Sequence, residues 1–522
     1  MATVTNRSET IRTFTLSWSL ILRIAAILVV LFLAFYHLTR FPLPWFDEGT
    51  VLNASKTLYQ YHVYAEHSSD GFNYVGSIVS VGPTVMVPIA GMFALFGAGL
   101  LQARLIMVLY LLGTIAAFWG LARLMGGSRL AWVAAALLVT SRGVTLLEYG
   151  REALGEVPGL FFIVAGLWLW FIAWEHPSWQ KLTSVGILFG LAMITKYEFL
   201  LFLAPAMILA WLANLVYYRT TPQRVFLIPG IISAVCFAFW LAFLVINQNP
   251  ATIGQNITAL RTATSGAALV FSISLMKQSI QQLLALKVYL ALLAPVMFYG
   301  FTLLLPRRRE AHRWFVLFTF ISVDLIWYVT ASVGWLRYAF PALAFASIFV
   351  ARFFYDLTDG YKLDLQAISL SFRNRSIFSP KAALSAVLLS WLAVMILLPL
   401  GQTARDILRP QFDAPAAMAA YINQNVPKDA LIETWEPEMG FLTDNNYHFP
   451  PQMLLNTAIQ FISSGGQPPS KFYNFVQTHK PEYVLVGQFA SWVHLYPDDF
   501  LASQYTLDKS IGAYSLYRLN KN

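Results

Sequence analysis

The stretch VGPTVMVPIAGMFALFGA (residues 81–98) is apolar enough to enter a membrane, yet Gly82, Pro83, Pro88, Gly91 and Gly97 interrupt it. Whether it crosses decides on which side every later loop lies. A spanning helix needs about 20 mostly apolar residues. Runs approaching that length occupy 18–38, 104–122, 130–147, 158–174, 182–195, 198–217, 225–246, 283–305, 314–332, 338–355 and 381–400. The first is long for a signal-peptide core and no small-x-small cleavage pattern follows it, so it reads as a retained span. With a cytoplasmic N-terminus and a non-crossing 81–98, the cytoplasmic segments are the tail with Arg7 and Arg12, then 123–129, 175–181, 219–224, PRRREAHR (306–313) and 352–381. These are the basic segments, as the cytoplasmic bias of Lys and Arg requires. A crossing 81–98 would place PRRREAHR outside. The expected fold class is therefore an α-helical polytopic membrane protein of about 11 spans. Segment 81–98 is expected to be re-entrant or juxtamembrane, and the C-terminal region to be extracytoplasmic.

Composition points the same way. Of 522 residues, 57% are hydrophobic and 12% charged, about half the roughly 25% charge of soluble domains. The net charge of +9 divides unevenly, with 27 Lys/Arg and 15 Asp/Glu in residues 1–400 but 8 and 11 in 401–522. The excess of bases sits in membrane loops. No basic stripe interleaved with aromatics argues for a nucleic-acid partner. Cys236 is the lone cysteine, which excludes an intrachain disulfide framework or a Cys-rich metal centre. No HExxH, paired-cysteine or phosphate-loop motif occurs.

The outer loops are then 39–80, 148–157, 195–199, 247–282 and 331–337. They carry Asp47 and Glu48, then Arg151, Glu152 and Glu156, then Lys196 and Glu198, Arg261 and Lys277, and Arg337. Acids and bases distant in the chain gather at one membrane face, where ionisable groups are costly and usually face a cavity or each other. Asp47 and Glu48, in PWFDEGTVLNASKTLYQYHVYA (44–65), suit a general base acting on a hydroxyl, or simply the acidic first turn of a helix. Lys196 in AMITKYEFL and Arg337 in VGWLRYAFP suit a phosphate, or a snorkelling lysine and an interface arginine. Tyr338 beside Arg337 offers a ring for stacking, or an aromatic-belt residue. Arg151 and Glu156 in YGREALGEVPG line a site or pair for stability. Asp324 is an acid inside a span with no partner evident. His62 and His67 are loop histidines, which usually hold no metal.

After residue 400 the pattern changes. FDAPAAMAAYINQNVPKDALIETW reads as a capped helix and a strand, PEYVLVG as a strand, and YTLDKSIGAYSLYRL as a hairpin. The expected division is a transmembrane domain over 1–400 and a small α/β extracytoplasmic domain over 401–522. No internal repeat appears.

In order, the acid pair after the first span, RLIMVLYLLGTIAAFWGLARLMGG, REALGEVP, GLAMITKYEFL and RYAFPALAF resemble the GT-C membrane glycosyltransferases. Within them the dolichyl-phosphate-mannose protein mannosyltransferases and the lipid A aminoarabinose transferases look most similar. The resemblance covers most of residues 1–355. It implies transfer of a hexose or pentose from a polyprenyl-phosphate donor to an acceptor hydroxyl on a lipid, glycan or protein, with inversion. Asp47, with Glu48 beside it, would be the base. Lys196 and Arg337, with Arg151 weaker, would hold the leaving phosphate. The loop 247–282 would cover the donor. Relatives often carry a charged or histidine residue before paired prolines, where this chain has VGPT (81–84). A divalent metal therefore stays open, and no other cofactor is expected. The location expected is a bacterial plasma membrane rather than an organelle membrane. The alternative is a transporter or flippase of lipid-linked saccharides, for which internal repeats and midplane charges are the usual signs.

Overall fold

A computed structural model describes residues 18–75, 77–247, 253–362, 380–409 and 411–520. Among them, eight helices are long and apolar enough to cross a membrane: Leu100–Thr140, Glu156–Glu175, Tyr197–Tyr218, Arg224–Asn247, Leu286–Leu304, Arg309–Ala331, Leu336–Leu357 and Lys381–Leu408. Shorter apolar helices are Ser19–Phe35 and Pro83–Phe96. The second is the segment that glycines and prolines interrupt. Its 14 residues reach only about 21 Å at 1.5 Å per residue, against a hydrocarbon core of about 30 Å. It is too short to cross.

Leu100–Thr140 has the opposite problem. Its 41 residues would extend about 60 Å as one rod, roughly twice the hydrocarbon core. It is broken at Gly126 and Gly127, the latter at φ +82° and ψ 178°. That backbone region is essentially closed to residues with a Cβ. The break falls in the basic loop expected at 123–129, so the apolar runs on either side are two helical segments joined through a sharp kink. The largest apolar core gathers Trp170, Trp174, Phe189 and Phe226 with the helices Leu336–Leu357 and Arg309–Ala331.

The described part of loop 247–282 is helical, as Ile253–Ala268 and Ile273–Leu284. Residues 248–252 and most of the basic loop after Leu357 lie outside the described residues.

The first long loop holds a two-stranded antiparallel sheet, β1 (Glu66–Ser68) with β2 (Gly71–Asn73). The last membrane helix, Pro380–Leu408, leads to a larger sheet. Its strands are β3 (Leu431–Thr434), β4 (Asn446–His448), β5 (Tyr483–Val486), β6 (Tyr505–Ile511) and β7 (Tyr514–Leu519). They lie in the order β4-β3-β5-β7-β6. β3 runs parallel to β4 and β5, whereas β7 is antiparallel to β5 and β6. Helix Ala414–Asn425 is capped by the Asp413 side chain, which accepts from the Ala416 N–H. It covers one face through Met418 and Ile422 against Ile432, Leu485 and Leu516.

Helix Phe46–Tyr61 joins the two regions. Its Lys56 ammonium donates to the Thr443 carbonyl at 2.9 Å and the Gly440 carbonyl at 3.2 Å, and pairs with Asp444 at 2.8 Å. About two helical turns earlier, Gly49 lies so close to the backbone of Glu438 that a Cβ would stand 2.2 Å from the Glu438 nitrogen.

Gly127→Ala isolates backbone strain, since a Cβ there meets nothing within 4 Å. It is expected to cost about 1–3 kcal/mol. The control Gly230→Ala, also with open space around its Cβ but inside an ordinary helix, should be neutral or slightly stabilising. Denaturation in detergent of the two variants against wild type reads the difference.

Candidate active site

Trp45 adopts extended backbone, and the helix begins at Phe46, so Asp47 and Glu48 occupy its first turn. Consecutive residues on an α-helix point about 100° apart, and the two acids consequently face different surroundings. Asp47 forms an ion pair with Arg337 on the wall of a cavity of about 1010 Å³ between the membrane helices and the C-terminal sheet domain. Glu48 is fully buried on the other side. There it accepts from Arg104 Nε at 2.9 Å and Nη2 at 2.5 Å, and from the Ala153 N–H at 2.9 Å.

The same cavity is lined by Glu152, Glu156, Lys196, Glu198, Arg337 and Tyr338. Lys196 ends helix Trp179–Thr195, where the chain turns before Tyr197. Its ammonium pairs with Glu156 at 2.8 Å and Glu198 at 3.1 Å. Thr195, the residue before it, shares a 2.6 Å hydroxyl contact with Thr84 and accepts through its carbonyl from the Gly82 N–H at 3.0 Å. The short Pro83–Phe96 segment thus buttresses the turn that carries Lys196.

Arg337 lies among three rings, with its guanidinium 5.3 Å from the centroid of Trp45, 4.9 Å from Trp335 and 5.5 Å from Tyr338. The Lys196 ammonium is 4.9 Å from the Tyr338 centroid, so both cations lie against the same ring. Among the described residues the Arg337 Nε is buried with no hydrogen-bond partner.

The resemblance implies Glu48 beside Asp47 at the catalytic position and Arg151 as a weaker phosphate ligand. The structure does not bring either to the cavity wall. Arg151 is fully buried, and its guanidinium donates to the carbonyls of Leu33, Ala34, Tyr36 and Phe41 at and beyond the end of the first helix. Carbonyls left open at a helix C-terminus attract such a cation. Asp324 has a partner that spacing does not reveal: it accepts from the Ala342 N–H at 2.8 Å and so caps helix Phe340–Leu357. His62 and His67 join no ligand cluster among the described residues, and His67 stacks on Tyr61.

The far wall of the cavity comes from the C-terminal domain and is the least legible in the sequence. Glu436 and Glu438 line it beside Phe489, Trp492 and Tyr514. Phe46 packs on Phe489 with centroids 3.9 Å apart, and Trp335 stacks on Trp492 at 6.2 Å. Glu436 accepts from the Ala490 N–H at 2.9 Å, and Glu438 accepts from the Tyr514 hydroxyl at 2.7 Å. Burial raises the Glu436 carboxyl well above its usual range, with the neighbouring Glu438 charge adding to it. Burial pushes Glu438 up to about 7. In the loop before Glu156, burial followed by the Glu48 charge pushes Glu152 up to about 8. The only sequence signal for the far wall is the acid spacing in ETWEPEMG (433–440).

Residues 80–243 match the family model described as dolichyl-phosphate-mannose-protein mannosyltransferase. No curated protein matches the chain. Among solved structures, ArnT from Cupriavidus metallidurans bound to undecaprenyl phosphate superposes with a TM-score of 0.62 at 13% identity, over 96% of this chain and 97% of that one. AglB, the oligosaccharyltransferase of Archaeoglobus fulgidus, was solved with an inhibitory peptide and a dolichol-phosphate. It superposes with a TM-score of 0.55 at 12% identity, over 97% of this chain and 74% of that one. The fold is that of the GT-C glycosyltransferases. The likeness runs through the C-terminal sheet domain as well as the membrane helices, since almost the whole chain is covered.

Two substitutions separate positioning from cavity chemistry. Glu48→Ala strands the buried Arg104 charge and is expected to cost about 3–5 kcal/mol, seen as a lost yield of monodisperse protein or a lower Tm. Glu438→Gln tests burial of an acid. A carboxyl with a native pKa of about 7 against 4.5 when unconstrained binds protons more tightly in the folded chain. Stability therefore falls as pH rises from about 4.5 to 7 and stays reduced above that range. The variant should raise Tm relative to wild type at pH 8 and lose that advantage at pH 5.

Proposed function

We propose that the chain is a membrane glycosyltransferase that moves a sugar from a polyprenyl-phosphate donor to an acceptor hydroxyl at the extracytoplasmic face. The observation that carries the reading is the meeting of Asp47, Lys196 and Arg337 on one cavity in a chain with the GT-C fold. That the ArnT and AglB structures hold undecaprenyl phosphate and dolichol-phosphate supports a lipid-linked donor here.

In the proposed mechanism the donor phosphate enters between Lys196 and Arg337. The unpartnered Arg337 Nε offers it one donor, and a guanidinium fork matches phosphate oxygens. Engagement of Arg337 by phosphate loosens its pair with Asp47. Asp47 then stands free beside the sugar to take the proton of the attacking hydroxyl. The hydroxyl oxygen forms the new bond to the anomeric carbon as the bond to phosphate oxygen breaks, inverting that carbon. The electron pair leaves on the polyprenyl phosphate, whose growing charge the two cations stabilise. Glu156 and Glu198 hold the Lys196 ammonium in place. Tyr338, whose ring both cations approach, helps hold them in place. Glu48 and Arg151 set the backbone of the site and touch no substrate. Leu455, Ile459 and Ile462 supply an apolar stretch of wall suited to an isoprenoid chain.

The test is sugar transfer in liposomes from a panel of radiolabelled polyprenyl-phosphate sugars. Asp47→Asn should lose at least about 100-fold in turnover, the lower bound for general-base help, with Tm retained. Lys196→Gln should lose roughly 10²–10³, the loss typical of one preorganised donor. Full activity of Asp47→Asn removes it as the base. Transbilayer movement of a labelled donor without transfer would instead favour the flippase reading.

A further inference from the structure

At the edge strand β4 of the C-terminal sheet, a second polar cluster lies outside the lining of the cavity that holds Asp47. His448 closes β4, and its register partner on β3 is Glu433. Both are buried. Glu433 accepts from the His448 Nδ1–H at 2.5 Å, and from the hydroxyls of Tyr473 and Tyr496, each at 2.9 Å. Glu433 therefore fixes both the tautomer and the ring orientation of His448. The other ring nitrogen, Nε2, points to the Asp70 carboxylate 3.0 Å away. The ring of His479 lies 3.8 Å from that of His448, centroid to centroid. One ligand atom each from Asp70, His448 and His479 falls within 4.8 Å of the others.

We propose that Asp70, His448 and His479 bind a single divalent transition-metal ion of the zinc type. Two imidazoles and one carboxylate are a borderline-soft donor set, suited to Zn²⁺ rather than to Mg²⁺ or Ca²⁺. With metal–ligand bonds of about 2.0–2.1 Å, neighbouring tetrahedral ligands stand about 3.3 Å apart. The His448–Asp70 edge is already close to that, and the exposed Asp70 and His479 side chains need to move by at most about 1.5 Å to complete the triangle. The carboxylate–histidine pair formed by Glu433 and His448 is the arrangement that orients metal-bound imidazoles. Water fills the fourth position.

The ion would be a clamp. Asp70 belongs to the turn between β1 and β2 in the first long loop, far in sequence from the two histidines. That hairpin already touches the edge strand β4 through a hydrogen bond from the Ser69 N–H to the Tyr447 carbonyl, 2.7 Å. The loop also carries helix Phe46–Tyr61, whose first turn holds Asp47. A metal would lock the hairpin to the sheet and thereby hold the C-terminal domain over the cavity. This inference stands independently of the sugar-transfer reading.

The experiment uses the full chain in detergent, stripped with EDTA and dialysed against ZnCl₂ or CoCl₂. Wild type should retain about one Zn²⁺ per chain by elemental analysis and show the intense visible bands of tetrahedral Co²⁺. Asp70→Asn and His479→Ala, both at exposed positions, should fold normally and weaken binding at least 10-fold. Hydrogen exchange in residues 66–73 should slow on adding Zn²⁺ to wild type alone. If wild type holds no more Zn²⁺ than the Asp70→Asn/His479→Ala double variant, the site does not exist. In that case His448 is simply an ion-paired imidazole between Glu433 and Asp70. Transfer activity plays no part in the readout.

Discussion

The buried pair between Glu48 and Arg104 is the constraint on which the rest of the site depends. Two opposite charges removed from water must keep near-ideal geometry, because either one alone in that environment is heavily penalised. Here the guanidinium grips Glu48 through two nitrogens, and a third donates to the Leu38 carbonyl at 2.7 Å. Glu48 also accepts from the Ala153 N–H. One ion pair therefore ties the helix Phe46–Tyr61 to a membrane helix, to the end of the first span and to the loop before Glu156. With that helix pinned in rotation, its other acid is directed at the cavity. An adjacent pair of identical charge type thus divides into one group that builds and one that faces the site.

The cavity cations are arranged by the same physics at a gentler depth. Lys196 sits between two carboxylates, and Arg337 sits against Asp47 and three aromatic rings. Each charge has a partner, and Arg337 still has a buried nitrogen without one. An anionic headgroup can enter such a lattice by exchanging partners, with no net creation of a buried unpaired charge. That is a reason for acids to accompany the cations in a site that would bind phosphate.

The C-terminal domain completes the enclosure. Gly49 permits the backbone of Glu438 to approach the helix Phe46–Tyr61, and Lys56 ties the following residues to it. Aromatic contacts, Phe46 on Phe489 and Trp335 on Trp492, shut the space between. The acids that this domain contributes, Glu436 and Glu438, are both raised by burial, which favours their protonated form relative to an exposed carboxyl. A protonated carboxyl both donates and accepts, which suits hydroxyl-rich ligands.

Much of this was legible in the chain itself. Apolar runs, Gly and Pro interruptions and the Lys/Arg bias determined a polytopic helical fold with a non-crossing segment near residue 90, because burial of apolar surface and the cost of moving charge across lipid act on composition and local length. Strands β3, β5, β6 and β7 and the helix cap of the C-terminal region followed from short-range periodicity in the same way, whereas the three-residue edge strand β4 did not. The identity of the loop charges was readable too, but their partners were not. Only the tertiary structure decided that Asp47 meets Arg337 while Glu48 meets Arg104, that Arg151 serves helix-end carbonyls, that Asp324 caps a helix, and that Asp70 meets His448 from hundreds of residues away. Side-chain pairing depends on helix rotation and on contacts between segments remote in sequence, and no local pattern in one sequence carries that information.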